Sequence, residues 1–382
     1  MTETPPSIAP GSGRIPQLDG VRGLAILMVL LWHYFARQWM VTHAGASVPV
    51  AGPLLGLMWS GVDLFFVLSG FLIIGILNDN RDSPNYFRVF YLRRACRILP
   101  VYYLVLAAYL VVTRAGLLDA ASYPLLLKAE LPLWSYATFT QNIFMGRGAT
   151  FGPDWLGVTW SLAVEEQFYL VAPLLLYLVP RRAFKLLCVV GIVVAPILRA
   201  AMPGTISFVN LPSRADSLLL GALLALMVRT PGFTARAERS QGVLLAFAAL
   251  AVPILAALSQ YPNVNAVLKH SVLGAVFTVL TLLALLPSAA MTRAFLARPA
   301  LMWLGVRSYS IYLFHEVISG LVHGRLRGAR PGLAEWPDAL VTISALLLTL
   351  GLSELSYRFI EQPFIRFGHG FKYEGPPPPR KG

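Results

Sequence analysis

Long apolar runs separated by short basic connections organise this chain. A helix needs about 20 apolar residues, rising 1.5 Å each, to cross about 30 Å of hydrocarbon. Runs that meet this need fall at 22–41, 56–77, 98–115, 159–179, 184–201, 213–229, 242–259, 269–288, 301–323 and 339–360. They predict an all-α integral membrane protein, a bundle of about ten transmembrane helices. The stretch 123–145 is only partly apolar and holds Lys128, Glu130, Pro132, Gln141 and Asn142, so it predicts an interfacial or re-entrant piece. No internal repeat is visible. One membrane domain covers 15–365, flanked by disordered tails at 1–14 and 366–382, the second ending in four consecutive prolines followed by Arg380, Lys381 and Gly382.

Composition supports this reading. The 382 residues are 57% hydrophobic and 13% charged, against about 25% charged in soluble domains. The mean hydropathy is +0.65. The net charge of +13 would suggest nucleic acid in a soluble protein. Here the basic residues sit in the short connections, which is the positive-inside pattern of membrane proteins, and no nucleic-acid partner is expected. Ten spans with both termini cytoplasmic place Arg81, Arg88, Arg93, Arg94, Arg97, Arg181, Arg182, Arg229, Arg236, Arg239, Arg293 and Arg298 on one side. An eleventh span at 123–145 would move Arg181 and Arg182 across. The cluster Arg325, Arg327 and Arg330 departs from the pattern. Ala44-Gly45-Ala46 faintly resembles a signal-peptide cleavage site, but Trp32, Tyr34, Arg37 and Trp39 form an interfacial belt that favours a retained helix. Helical spans place the chain in an inner or plasma membrane, because bacterial outer-membrane proteins are barrels. Cys96 and Cys188 lie in different segments and suggest neither a disulfide nor a metal site.

Charged side chains inside spans are costly and usually face a cavity with a task. Arg22 and His33 are eleven residues apart in the first run, close to three full turns, so they share a face about 16 Å apart along the axis. A neutral imidazole at mid-membrane depth can take a proton from a hydroxyl. Asp63, in Gly61–Phe71, stands at a depth that matches His33 and is a candidate to orient it. Ser69 and Gly70 of the same segment fit helix packing better than chemistry. Arg93, Arg94 and Arg97 form a guanidinium cluster suited to phosphate. Glu165 and Glu166 lie adjacent in Trp160–Tyr169, pointing different ways, so one can face a cavity to bind sugar hydroxyls or position a proton. Arg214 and Asp216 open the sixth run. Tyr312, His315 and Glu316 lie in the ninth, and Glu354 and Glu361 in the last.

In this order, these residues resemble the acyltransferase type 3 family of membrane O-acyltransferases. The likeness rests on the basic-x10-His pair Arg22 and His33, on Gly61–Phe71, on the Arg-x-x-Arg unit Arg94 and Arg97, and on Trp160–Tyr169. Ser213–Asp216, Gly305–His315 and Glu354–Pro363 extend it, so that it covers about 15–365. Members of this family acylate hydroxyls on O-antigen and other surface sugars, Nod factors and macrolides. The resemblance implies ten helices and an acyl-CoA donor, often acetyl-CoA, with no permanently bound cofactor. It also implies that Arg22 and His33 are essential and that the arginine unit helps to hold the donor.

Together these readings give an expectation. Arg22, Arg93, Arg94 and Arg97 bind the donor phosphates, His33 acts as base, and Asp63 or Glu165 orients it. Glu166, Arg214, Asp216, Tyr312 and His315 bind the acceptor, a carbohydrate or glycolipid such as a surface polysaccharide. No resident metal is expected, and membrane lipid is the surrounding partner. The alternatives are a transporter or flippase, since intramembrane charges alone fit it equally well, and acylation of a small secondary metabolite such as a macrolide. The His-x4-Asp pattern of soluble-type glycerolipid acyltransferases is absent, because Gln38 stands five residues after His33.

Overall fold

The computed structural model describes residues 15–43, 55–119, 123–128, 131–202, 204–259 and 261–375. Residues 1–14, Ala44–Ala46, Glu130 and the final prolines, with the expectations attached to them, lie outside this set. Among the described residues there is no strand. The long helices coincide with the expected runs: α1 (Pro16–Thr42), α2 (Met58–Asp79), α3 (Tyr86–Arg114), α4 (Asp154–Leu178), α5 (Arg181–Ala201), α6 (Leu211–Met227), α7 (Gln241–Ser259), α8 (Pro262–Leu285), α9 (Pro299–Arg327) and α10 (Trp336–His369). Seven are long and apolar enough to cross a membrane, and an eighth crosses if Phe233–Arg239 and the start of α7 form one bent span. Of the others, α6 has 17 residues, and α9 has 29 residues that include several charges. The fold is that of a multi-pass, all-α membrane protein.

The bundle buries charges within an apolar core and turns apolar side chains outward. Leu186, Val190, Val193 and Ile197 of α5 are exposed, as are Leu347 and Leu355 of α10. Asp63, Arg199, Arg214, Asp216, His270 and His315 are buried. Lipid can cover the first set, whereas a charge facing lipid would lose its solvation. Two crossings hold the centre. A Cβ added at Gly305 of α9 would stand 1.8 Å from the Asp19 carbonyl oxygen of α1. One added at Gly221 of α6 would stand 1.9 Å from the Val67 carbonyl oxygen of α2. Only glycine permits such backbone contact, the usual device for packing helices in lipid.

The piece expected at the membrane boundary is built from short helices, Pro124–Leu127, Leu133–Ala137 and Gln141–Gly148, none long enough to span. Gln141 and Asn142 fasten it: Gln141 donates to the Thr159 carbonyl at 2.9 Å and Asn142 to the Val209 carbonyl at 3.1 Å. The Arg325–Arg330 cluster also finds an account. Arg327 is held by Asp338 at 2.7 Å and Glu335 at 3.0 Å, so part of the excess charge is neutralised locally. Residues 366–375 differ from the expected disordered tail. α10 runs to His369, and the chain after it lies along the start of α3, where Asn85 donates to the Lys372 carbonyl at 3.0 Å.

Candidate active site

α1 changes pitch around His33. Residues Trp32–Ala36 form a π turn between two α-helical stretches, a feature frequent at functional sites. His33 Nδ1 lies 3.0 Å from the Val29 carbonyl oxygen. A carbonyl only accepts, so Nδ1 carries the proton and donates, and Nε2 of the neutral ring keeps a free lone pair. Nε2 stands 3.3 Å from Glu316 Oε1 of α9, and Arg37 Nη1 donates to the same oxygen at 2.7 Å. Behind His33, the ring of His315 packs edge-on at a centroid distance of 4.8 Å.

Two cavities meet at this level. One, of about 520 Å³, is lined by His33, Arg37, Trp59, Asp154, Trp160, Phe208, Lys269 and Glu316. The other, of about 90 Å³, is lined by Arg22, Ser69, Arg94, Arg97, Glu165, Tyr169 and Tyr309. Val62 and Tyr312 wall both. The Tyr312 hydroxyl is fixed there, 2.9 Å from the Val158 carbonyl and 2.7 Å from Ser161 Oγ. The Arg22 and His33 side chains therefore line different cavities that share Val62 and Tyr312. Among the described residues, neither Arg94 nor Arg97 has a carboxylate oxygen within ion-pair distance. Unpaired guanidiniums converging on a cavity make an anion site.

Several expected roles change. Asp63 does not reach His33. It accepts from Arg214 Nη2 at 2.7 Å and lies 3.4 Å from His270 Nδ1, in a cluster sealed from both cavities. Arg214 is stacked among Phe66, Trp160 and Phe208, with ring centroids 5.7, 5.8 and 5.2 Å away, and its Nε is buried without a partner. Asp216 accepts from Arg199 at 2.7 Å and from Ser271 at 2.6 Å. These groups tie α2, α5, α6 and α8 together, and Asp63, Arg214 and Asp216 line neither cavity. Glu165 faces the arginine cavity, accepting from Ser69 at 2.5 Å, and does not meet His33. Glu166, next to it in sequence, does not line that cavity. His315 is buried behind His33 with Nδ1 on the Tyr312 carbonyl at 2.7 Å, so it supports His33 and lines neither cavity. Arg93 lies outside the 90 Å³ cavity.

Glu316, which its place in the run leaves open as a packing group or a cavity liner, lines the cavity beside His33, and the buried Arg199 and His270 lie outside the expected site. An acidic residue directly after His315 in an apolar run was the available signal for Glu316. Nothing in the sequence says that α8 brings His270 to Asp63. The ligand atoms of His33, His315 and Glu316 all lie within 4.8 Å of one another, close enough to bind a metal ion. The Arg37 guanidinium on Glu316 already supplies that carboxylate with a cation, which suits proton transfer better than metal binding.

A membrane-embedded bundle with a neutral histidine on one cavity and unpaired arginines on the other defines a class that the comparisons identify. The chain belongs to the acyltransferase domain family, which matches residues 15–358. It is 29% identical over 396 residues to the peptidoglycan O-acetyltransferase OatA of Listeria monocytogenes, covering 94% of this chain and 58% of that protein. It is 27% identical over 402 residues to the O-acetyltransferase OatA of Staphylococcus aureus, covering 96% of this chain and 60% of that protein. The chain thus spans less than two thirds of the length of these curated relatives. No solved structure matches it.

Proposed function

We propose that this protein moves an acetyl group from acetyl-CoA to a hydroxyl of a cell-surface carbohydrate, and that the two reactants enter from opposite faces of the membrane. One observation carries this: the unpaired arginines and the base His33 line different cavities that share the Val62–Tyr312 partition. The arginine face takes the donor and is cytoplasmic, in keeping with the positive-inside rule. The aromatic rings of Trp59, Trp160 and Phe208, beside Asp154 and Lys269, suit a sugar on the other face. Peptidoglycan is the acceptor in the printed name of the Listeria relative, and a glycan of that kind is the first acceptor to try. The membrane in question is the plasma or inner membrane.

The chemistry follows from His33. The acceptor oxygen attacks the thioester carbonyl carbon, and its proton passes to Nε2. The imidazolium formed is stabilised by Glu316, and Val29 holds Nδ1–H so that the base nitrogen stays aimed at the cavity. As the C–S bond breaks, the imidazolium returns the proton to the departing sulfur, releasing CoA thiol and the ester. Thiol release from acetyl-CoA by purified protein, with peptidoglycan fragments present, tests this. Wild type should release thiol in proportion to ester formed, and His33→Ala should lose about 10²-fold or more. Full activity in a folded His33→Ala protein would remove the base assignment. A transporter would move substrate with no thiol released.

A further inference from the structure

Four charged side chains line the 520 Å³ cavity beside His33: Arg37, Asp154, Lys269 and Glu316. Arg37 and Glu316 are joined at 2.7 Å. Among the described residues, Asp154 and Lys269 have no ion-pair partner. They come from different elements. Asp154 opens α4, whose first turn packs on α9, the helix of Glu316. Lys269 enters from α8, with its ammonium 4.9 Å from the centre of the Trp59 ring.

The wall that carries Lys269 is braced from behind. Trp59 packs edge-on against the His270 ring at 5.1 Å, and Phe208 lies 5.8 Å from the same ring. His270 is buried in the cluster with Asp63 and Arg214. The carboxylate of that cluster is taken by Arg214 at 2.7 Å, so it is not free to neutralise Lys269. Leu268 is exposed on the outside of the bundle, whereas Lys269 is half-buried and lines the cavity. A cation inside a membrane bundle is costly, and one that faces a cavity marks a substrate path. The Trp59 face offsets part of that cost but accepts no charge-assisted hydrogen bond, and the ammonium has three donors to give. An ammonium is a compact point charge with no planar fork, so one negative charge is enough to complete it.

We propose that Lys269 binds a singly charged anionic group of the acceptor, a carboxylate or a phosphodiester, so that the enzyme selects acidic glycans over neutral ones. The proposal rests on the reading of the His33 cavity as the acceptor site. Asp154 then accepts from hydroxyls of the same molecule, and His33 meets the hydroxyl that reacts. An anionic lipid headgroup carries the same charge. The reacting hydroxyl must occupy this same cavity, however, and a lipid phosphate on Lys269 would compete with it for the space.

The test follows ester formation and thiol release from acetyl-CoA, with protein in phosphatidylcholine nanodiscs with or without phosphatidylglycerol. Two acceptor pairs are compared. The first is peptidoglycan strands freed of peptide, with their carboxylates free or converted to methylamides. The second is glycan strands carrying glycerol phosphate, before and after its removal by hydrofluoric acid. In wild type, the charged member of at least one pair should have a KM about 10-fold lower than its neutral counterpart, the size of one charge-assisted hydrogen bond. In Lys269→Gln the ratio between the two should fall to about one, and Lys269→Arg should keep it. Equal KM values within both pairs, with ester still formed, would overturn the proposal in wild type alone and leave acetyl transfer intact. A preference that persists in Lys269→Gln would also overturn it. So would a rate that depends on phosphatidylglycerol and ignores the charge of the glycan, which would give Lys269 to lipid. No thiol released with any acceptor would reject the acetyl-transfer reading itself.

Discussion

At the scale of single residues, two carboxylates that look alike in sequence have different tasks. Glu316 touches Nε2 of His33, while Asp63 neutralises Arg214. Glu316→Gln keeps the shape and removes the charge that stabilises the imidazolium, so kcat should fall about 10²-fold with little change in thermal stability. Asp63→Ala leaves Arg214 buried and unpaired, which should destabilise the fold by about 3–5 kcal/mol. Thermal unfolding in detergent and thiol-release kinetics on both variants check this. A stable Asp63→Ala protein that has lost only kcat would restore Asp63 to the chemistry. The depth of each group was legible from its place in an apolar run, and so was the shared face of Arg22 and His33, because both lie on one helix. Which helix faces His33 was not legible. Asp63 and Glu316 both stand at suitable depths, and only the packing of α1 on α9 selects Glu316.

At the scale of elements, the spans were legible because lipid demands them. Leu211–Met227, short at 17 residues, and Pro299–Arg327, rich in charge, were still visible as interruptions in the basic connections. The π turns at Trp32–Ala36 and Tyr357–Glu361 were not, since one added residue in a turn leaves no trace in an apolar pattern. The glycine crossings make a separate prediction. Gly305→Leu and Gly221→Leu place side chains where backbone oxygens already stand, at 1.8 and 1.9 Å from the Cβ. Both should abolish recovery of monodisperse protein by size-exclusion chromatography. Gly351→Leu, on the open face of α10 with nothing within 4 Å of its Cβ, should leave recovery unchanged. Normal recovery of both crossing variants would mean that α1–α9 and α2–α6 do not pack this closely.

At the scale of the whole molecule, two chambers back on to one partition. Under the proposed function, an acetyl group passes this partition while CoA and the acceptor each stay on their own side. The most direct measurement uses sealed vesicles with the arginine face outward. Radiolabelled acetyl-CoA is supplied outside, and peptidoglycan fragments are trapped inside. The account predicts acetyl ester on the trapped fragments, CoA thiol released outside, and neither in His33→Ala vesicles. Thiol release with ester formed only on fragments added outside would contradict it, placing donor and acceptor on one face.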